Sequence, residues 1–416
     1  MNELNENIER DESIENTFRK RMVSIIFGGS GFIGFNLAKK LSTLDNTNEH
    51  KVIIIDKIKN PKFDEFRETL ENKNNLQFFQ FDMVKDNYSE LEFLETFYEE
   101  EFGNNINLYL LASTVGPELV KHHHSIEDYL LNFNIYNYLV NLLNPENNKK
   151  LKFNRIIFTS SSEVYGEQAN MNEDDLVCLD VNKDGYRPQY ALQKLTAENL
   201  FLNLGRTFNQ EVIITRLFNI VGPDQRKGFV LSNFNNIFKE NLDIIKTNLG
   251  LIKDNNSAVQ NLKPFNIYGD GKQSRVFTDI SDTVNAMHLL STYKESESNS
   301  KIKDNQIINS IINIACIKNE ISIIKLVYKY LEFYKHIIQN ILDHEELTEE
   351  QQKYLNNLLE DIFLKDPFIN FIEPTENNNI GIGALKRIPT VFKLYKVLGY
   401  KPVKNLNNII NNSLFG

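Results

Sequence analysis

From residue 22 onward, short apolar runs alternate with stretches whose apolar positions recur every three or four residues. The runs at 22–27 (MVSIIF), 51–56 (KVIIID), 76–81 (LQFFQF), 107–113 (NLYLLAS), 155–161 (RIIFTSS) and 211–217 (EVIITRL) have the length of buried strands. Between them lie helical patterns: 31–44, with Phe32, Phe35, Ala38 and Leu41 at helix spacing, an acidic stretch at 88–101, a long apolar one at 126–143, and another over about 189–208. Strands that are apolar throughout, separated by helices, predict a parallel sheet covered on both faces. Right-handed crossovers then make an α/β, doubly wound fold. Past about residue 216 the pattern loses regularity, which predicts a smaller C-terminal α/β substrate lobe.

This reading divides the chain into a polar N-terminal tail (1–20), a cofactor-binding domain (21–217) and a remainder (218–416) that is mainly substrate lobe, with some segments returning to the first domain. Three Asn-, Lys- and Glu-rich segments, near 248–263, 294–306 and 337–361, read as surface insertions.

Composition narrows the function classes. The 416 residues are 41% hydrophobic and 25% charged, as in a globular chain, and carry a formal net charge of −10. That acidic balance argues against a general nucleic-acid binder. It leaves room for a local basic pocket. Cys178 and Cys316 are the only cysteines and lie in no metal-binding spacing, which suits a reducing compartment. The apolar runs are too short to cross a bilayer, and the first 21 residues lack the apolar core of a signal peptide, so the expected location is cytoplasmic. His122, His123 and His124 are consecutive and cannot all face one ion from a helix. No metal is expected, and the triplet reads as a solvated or substrate-loop segment.

The first strand runs into FGGSGFIG, with Gly28, Gly31 and Gly34 at GxxGxxG spacing. Gly28 permits a tight turn, Gly31 lets backbone N–H groups approach a pyrophosphate, and Gly34 lets the helix pack close to the strand, with Phe32 and Ile33 on the first turn. The helix N-terminus favours the anion. The second strand ends in Asp56, whose carboxylate suits the two hydroxyls of an adenosine ribose and repels a 2′-phosphate. The expected domain is therefore a Rossmann sheet, and the expected cofactor is NAD. Asp82 and Met83 after the third strand are placed to meet the adenine. Leu111 and Ala112, in LLAST, let the dinucleotide lie across the sheet edge.

The fifth strand ends in TSSSEVYG, with hydroxyls and a carboxylate where a core strand would carry apolar groups. Further on, GYRPQYALQK places Tyr190 and Lys194 four residues apart, on one helix face. A lysine one turn from a tyrosine is expected to lower the phenol's pKa and free it as a base. Ser161 would hydrogen-bond the same substrate oxygen. Both Tyr190 and Lys194 are then expected to touch cofactor as well as substrate.

On these motifs the sequence resembles the extended short-chain dehydrogenase/reductase family, in particular its nucleotide-sugar epimerases, dehydratases and decarboxylases. The likeness extends through RLFNIVGPDQ (216–225), YGDGKQSRVFTDISD (268–282), IINIACIKNEISI (311–323) and RIPTVFKLYKVLGYKP (387–402). It implies transient oxidation at carbon 4 of a sugar by tightly held NAD. Ser162 stands where the 4,6-dehydratases acting on dTDP-glucose carry an aspartate, and Glu163 where plain 4-epimerases commonly carry no acid. The text SSEVYG with Arg187 three residues before Tyr190 resembles UDP-glucuronate decarboxylases and also GDP-mannose dehydratases. The resemblance implies that Ser162 and Glu163 sit near the reacting carboxylate, and that Arg275 and Arg187 anchor the substrate. Asn219 is expected to touch substrate or backbone. Arg226 is a diphosphate candidate, as is Arg216, for which a structural ion pair is the alternative. The expected substrate is a nucleotide sugar, a UDP-sugar being favoured, with UDP-glucuronate decarboxylation as the leading reaction. A 4-epimerase, a 4,6-dehydratase and a non-catalytic NAD sensor are the alternatives. The resemblance also implies a homodimer that pairs helices 126–143 and 189–208.

Overall fold

Strand β1 (Met22–Phe27) pairs in parallel with a strand on each side, and this sets the architecture. The computed structural model describes residues 22–44, 50–86, 105–114, 126–147, 153–168, 171–180, 186–253, 260–294, 306–364, 368–373 and 385–415. The tail at 1–20, the acidic stretch 88–101, the histidine triplet 122–124 and nearly all of 294–306 lie outside the described residues.

After β1 come α1 (Phe32–Ser42), β2 (His50–Asp56), α2 (Phe63–Glu68), β3 (Leu76–Gln80), β4 (Ile106–Leu110), α3 (Ile126–Leu143), β5 (Arg155–Ser161), α4 (Tyr186–Phe208) and β6 (Val212–Leu217). The C-terminal part adds β7 (Ile220–Val221), α5 (Val230–Lys253), β8 (Phe265–Tyr268), β9 (Ser274–Val276), β10 (Thr278–Asp279), α6 (Ile280–Thr292), β11 (Ser310–Ile314), β12 (Glu320–Ser322), α7 (Ile323–His344), α8 (Glu349–Leu364), β13 (Ile369–Ile372), β14 (Lys386–Arg387) and α9 (Leu406–Phe415).

Seven strands form one parallel sheet in the order β11-β6-β5-β4-β1-β2-β3. Alternate side chains of β1 serve opposite faces. Val23, Ile25 and Phe27 join a core with Tyr136 and Leu139 of α3 and Phe201 of α4, while Ile26 joins another with Phe35 and Leu37 of α1 and Leu290 of α6. Two covered faces explain why the strands carry apolar residues throughout. The chain leaves β1 toward β2 and returns to its other side as β4, so the switch point opens at the C-terminal ends of β1 and β4, where such sheets bind ligands.

A third core lies among α5, α7, α8, α9 and β8, built on Phe234, Phe238, Phe265, Tyr330 and Tyr334. The Phe238 and Tyr334 rings stack at 4.2 Å between centroids. The segment 337–361, expected as a surface insertion, forms the end of α7 and most of α8, and buries Ile338, Leu355 and Leu358 in this core. Its apolar residues make one narrow stripe on otherwise polar helices, so average composition hid the buried face. Of 248–263, the first part continues α5, and buried Asn248 donates to Gln260 O (2.9 Å) and to Tyr354 Oη (2.8 Å). Two later elements serve the large sheet: β11 pairs with β6, and α6 packs on α1. Among the described residues no helix is long and apolar enough to cross a membrane.

Candidate active site

The chain leaves β1 through Gly28, whose N–H donates to Ile55 O (2.9 Å) and whose φ of +79° lies in the left-handed region that favours glycine. A Cβ there would stand 2.5 Å from Ala112 N, and one on Gly34 would land against the Gly28 carbonyl. The turn therefore packs directly on LLAST, with Leu111 N donating to Phe27 O (2.9 Å), and α1 starts flush with the strand end. Gly31 caps α1 and is exposed. Phe32 and Ile33 lean on the core that holds Ile26, Phe35 and Leu290. Asp56 Oδ2 accepts from Ser30 N (3.0 Å), which brings the carboxylate at the end of β2 to the glycine turn. Burial pushes its pKa up, and the N–H groups of Ser30 and Ile58 oppose that. Asp82 Oδ1 accepts from Val84 N (3.0 Å), and Met83 packs on the opposite sheet core. A backbone cradle free of Cβ atoms, a helix N-terminus and an adjacent carboxylate fit a dinucleotide.

At the end of β5, Ser161 Oγ accepts from Glu163 N (3.2 Å) and starts the short 3-10 helix Ser162–Tyr165. The Tyr190 phenol, on the first turns of α4, is close enough to Ser161 for the hydroxyl to draw its pKa down. Burial pushes the Tyr190 pKa well above its ordinary value, and the charges of Tyr136 and Glu163 reinforce it. The Ser161 hydroxyl and Arg226 oppose it. The expectation that Lys194 lowers the phenol's pKa is thus corrected. Lys194 is buried, its Nζ donates to Thr159 O (2.8 Å) and lies 5.9 Å from the Tyr190 ring centroid, and burial pushes its own pKa down to about 7. The burial that raises the phenol also drains the charge that was to help it.

Glu163 stands in a group of arginines. Its Oε1 lies 2.5 Å from Arg387 Nη1 and 3.9 Å from Arg187 Nη1. Arg275 is the register partner of Arg387 across β9 and β14, and its Nη1 donates to Ser274 O (2.8 Å). Burial alone would raise the Glu163 pKa; Arg387, then Arg187 and Arg275, override it and hold the carboxyl below the usual range. Burial, with Arg387 and Arg187 beside it, draws Arg275 down to about 10. Three guanidiniums converge on one carboxylate, an arrangement suited to an anionic ligand.

Other expected residues are placed as follows. Ser162 is buried beside Glu163. Asn219 adopts φ +39°, donates from Nδ2 to Val276 O (2.9 Å) and accepts from Thr278 N (3.2 Å), so it braces the strand that carries Arg275. Arg226 acts electrostatically on Tyr190. Arg216 takes the ion-pair alternative: it is 2% exposed and grips Glu198 through Nε (3.0 Å) and Nη2 (2.7 Å). The sequence reading missed Arg387 and Glu198. Glu198 was open to detection, four residues beyond Lys194 on the same helix face. Arg387 carried no local signal, because strand pairing alone brings it here. Among the described residues no three His, Cys, Asp or Glu side chains are grouped to hold a metal ion.

The family model of the NAD dependent epimerase/dehydratase family matches residues 24–315. Curated relatives include UDP-glucuronic acid decarboxylase 2 of Arabidopsis thaliana, 29% identical over 280 residues, 65% of this chain and 51% of that protein. They also include dTDP-D-glucose 4,6-dehydratase of Dictyostelium discoideum, 28% identical over 276 residues, 64% of this chain and 54% of that protein. The chain spans about half the length of the curated relatives it matches. Among solved structures, UDP-glucuronic acid 4-epimerase from Bacillus cereus, in complex with UDP-glucuronic acid and NAD, superposes with a TM-score of 0.62 at 21% identity, over 94% of this chain and 98% of that one. That likeness is one of fold.

Proposed function

The chain belongs to the NAD dependent epimerase/dehydratase family, whose cofactor is NAD, and from that premise we propose that it modifies a nucleotide sugar through transient oxidation at carbon 4, with decarboxylation of a UDP-linked uronic acid as its reaction. The observation that carries this reading is the convergence of Arg187, Arg275 and Arg387 on Glu163, next to Ser161 and Tyr190. A UDP-uronate offers two anionic groups, a diphosphate and a carboxylate, and guanidiniums that converge on one point suit the recognition of both.

Gly28, Gly31, Phe32, Ile33, Gly34, Leu111 and Ala112 would hold the NAD pyrophosphate and ring system, Asp56 the adenosine ribose, and Asp82 and Met83 the adenine. When bound, NAD supplies a hydride acceptor that is positively charged in its oxidised form. Tyr190, in its phenolate form, takes the proton of the carbon 4 hydroxyl and becomes the neutral phenol, and Ser161 holds the same oxygen. The resulting ketone is β to the carboxylate on carbon 5. Such an acid loses CO₂ because its electrons flow into an enolate, and the Tyr190 phenol and Ser161 hydroxyl donate to that enolate oxygen. Arg275, Arg187 and Arg387 anchor the anions. Glu163 and Ser162 lie beside the departing carboxylate.

Epimerisation of the same uronate at carbon 4 is the second reading. It needs the same anion recognition, and Arg226 near the Tyr190 phenol is a further cation for the carboxylate. Incubation of the full chain with UDP-glucuronate, following reduced nicotinamide and CO₂ with product analysis, tests both. CO₂ with a pentose or ketopentose nucleotide supports decarboxylation, a new hexuronate without CO₂ supports epimerisation, and no turnover of any nucleotide sugar despite bound NAD overturns the enzymatic reading. The expected homodimer through α3 and α4 is supported by Leu130 and Phe133, which α3 leaves exposed, and sedimentation of the full chain tests it.

A further inference from the structure

Tyr190, Lys194 and Glu198 are spaced by four residues along α4 and so follow one another down a single face of the helix. The lowest of them is the most tightly held. Glu198 Oε1 accepts from Ser160 Oγ (2.5 Å) and Arg216 Nε (3.0 Å), and Oε2 accepts from Arg216 Nη2 (2.7 Å). Ser160 and Arg216 are register partners on β5 and β6, so two neighbouring strands fix the carboxylate from beneath. Arg216 is itself seated with its Cζ 4.6 Å from the Tyr165 ring centroid. Ser160 directly follows Thr159, whose carbonyl receives the Lys194 ammonium. The same strand end therefore orients both Lys194 and Glu198.

We propose that Glu198 is a positioning residue for the reaction, whose fixed carboxylate favours the cationic form of the Lys194 side chain at the foot of Tyr190. This rests on the reading of Tyr190 and Lys194 as the reacting pair. The surroundings explain why such a device is needed. Lys194 Nζ has the Phe158 ring centroid at 4.8 Å, the Tyr136 centroid at 5.5 Å and the Tyr190 centroid at 5.9 Å. These ring faces favour a cation, but they displace water, and burial is the dominant influence on the lysine. The titratable and charged groups set against it are Tyr190 and Glu198 on α4 and Tyr136 on α3, with Arg216 on β6 paired to Glu198. Of these, Glu198 is the one that draws the lysine's pKa upward. Without that carboxylate, the lysine would be neutral over more of the range in which the phenol must work.

Replacing Glu198 alone would strand Arg216 as a buried unpaired charge and endanger folding. The decisive variant is therefore Glu198→Gln combined with Arg216→Met, with Glu198→Gln beside it. The full chain, isotope-labelled at the lysine ε-carbons, is titrated by NMR, and the Lys194 resonance is identified by its loss in Lys194→Met. The expected result is a Lys194 midpoint lower by about one pH unit in the folded double variant. The alkaline limb of the pH–rate profile should move down by the same amount, and kcat on that limb should fall about tenfold while KM stays within about twofold. An unchanged Lys194 midpoint in the folded double variant overturns the proposal. If the unaltered chain turns over no nucleotide sugar, the reaction assignment falls, while the lysine titration still decides the role of Glu198.

Discussion

Arg387 Nη1 lies 2.5 Å from Glu163 Oε1, although most of the C-terminal half of the chain separates the two residues. The contact joins the three-stranded sheet β12-β9-β14 to the end of β5 in the seven-stranded one. It turns a strand-end carboxylate into the centre of an arginine group. If that group receives the substrate's phosphates, Arg387→Met should raise the Kd for UDP about 10- to 100-fold, equivalent to about 1.4–2.7 kcal/mol. Isothermal titration with UDP checks this. Unchanged affinity would mean that Arg387 serves only to hold Glu163.

The same ion pair has a pH signature. Glu163 has a folded-state pKa held below its ordinary range, so it stabilises the fold above its unfolded pKa, and that stability is lost as pH falls through the folded value. Thermal melts of Glu163→Gln and the unaltered chain should therefore differ most at neutral pH. The gap should narrow progressively below about pH 4. A gap that stays constant across the acid range would show that the charge of Glu163 contributes nothing to stability.

For Lys194 the sign is the opposite. Its pKa falls to about 7 on burial, against an ordinary value of 10.5, so the unfolded chain binds the extra proton between those values and stability rises with pH there. Lys194→Met should abolish turnover yet raise the Tm. The gain should be greatest below pH about 7 and fade toward pH about 10. Scanning calorimetry over that range checks it. A lower Tm at every pH would show that the bond to Thr159 O outweighs the cost of burying the charge.

Tyr190→Phe should reduce kcat by about a hundred- to ten-thousand-fold, with NAD binding and the circular dichroism spectrum unchanged. The substitution removes one hydroxyl, leaves the ring in place, and spares the cradle at Gly28. Turnover that survived it would exclude the phenol as the base.

Gly34→Ala tests the cradle. Its new Cβ would land against the Gly28 carbonyl, so α1 must shift away from the strand end. Overpacking of this kind costs about 1–3 kcal/mol, and the displaced helix N-terminus should weaken NAD binding at least about tenfold. Fluorescence titration with NADH, alongside a melting curve, separates the two effects.

Local pattern by itself determined the strand–helix alternation, the glycine turn between β1 and α1, the carboxylate at Asp56 and the shared face of Tyr190 and Lys194. These follow from the strand and helix periods and from the absence of Cβ atoms, all set within a few residues. It also placed Ser161 and Glu163 at a strand end, and that position in a parallel sheet is where ligands bind. The chain's path in three dimensions decided the rest. It delivered Arg387 and Arg275 to Glu163 through the pairing of two short strands, and it made Arg216 a buried partner of Glu198 rather than a surface cation. It also raised the pKa of Tyr190, although the neighbouring lysine suggested a fall. The physical reason is that spacing along a helix is local, whereas desolvation and the summed charge at a point depend on every segment folded around it.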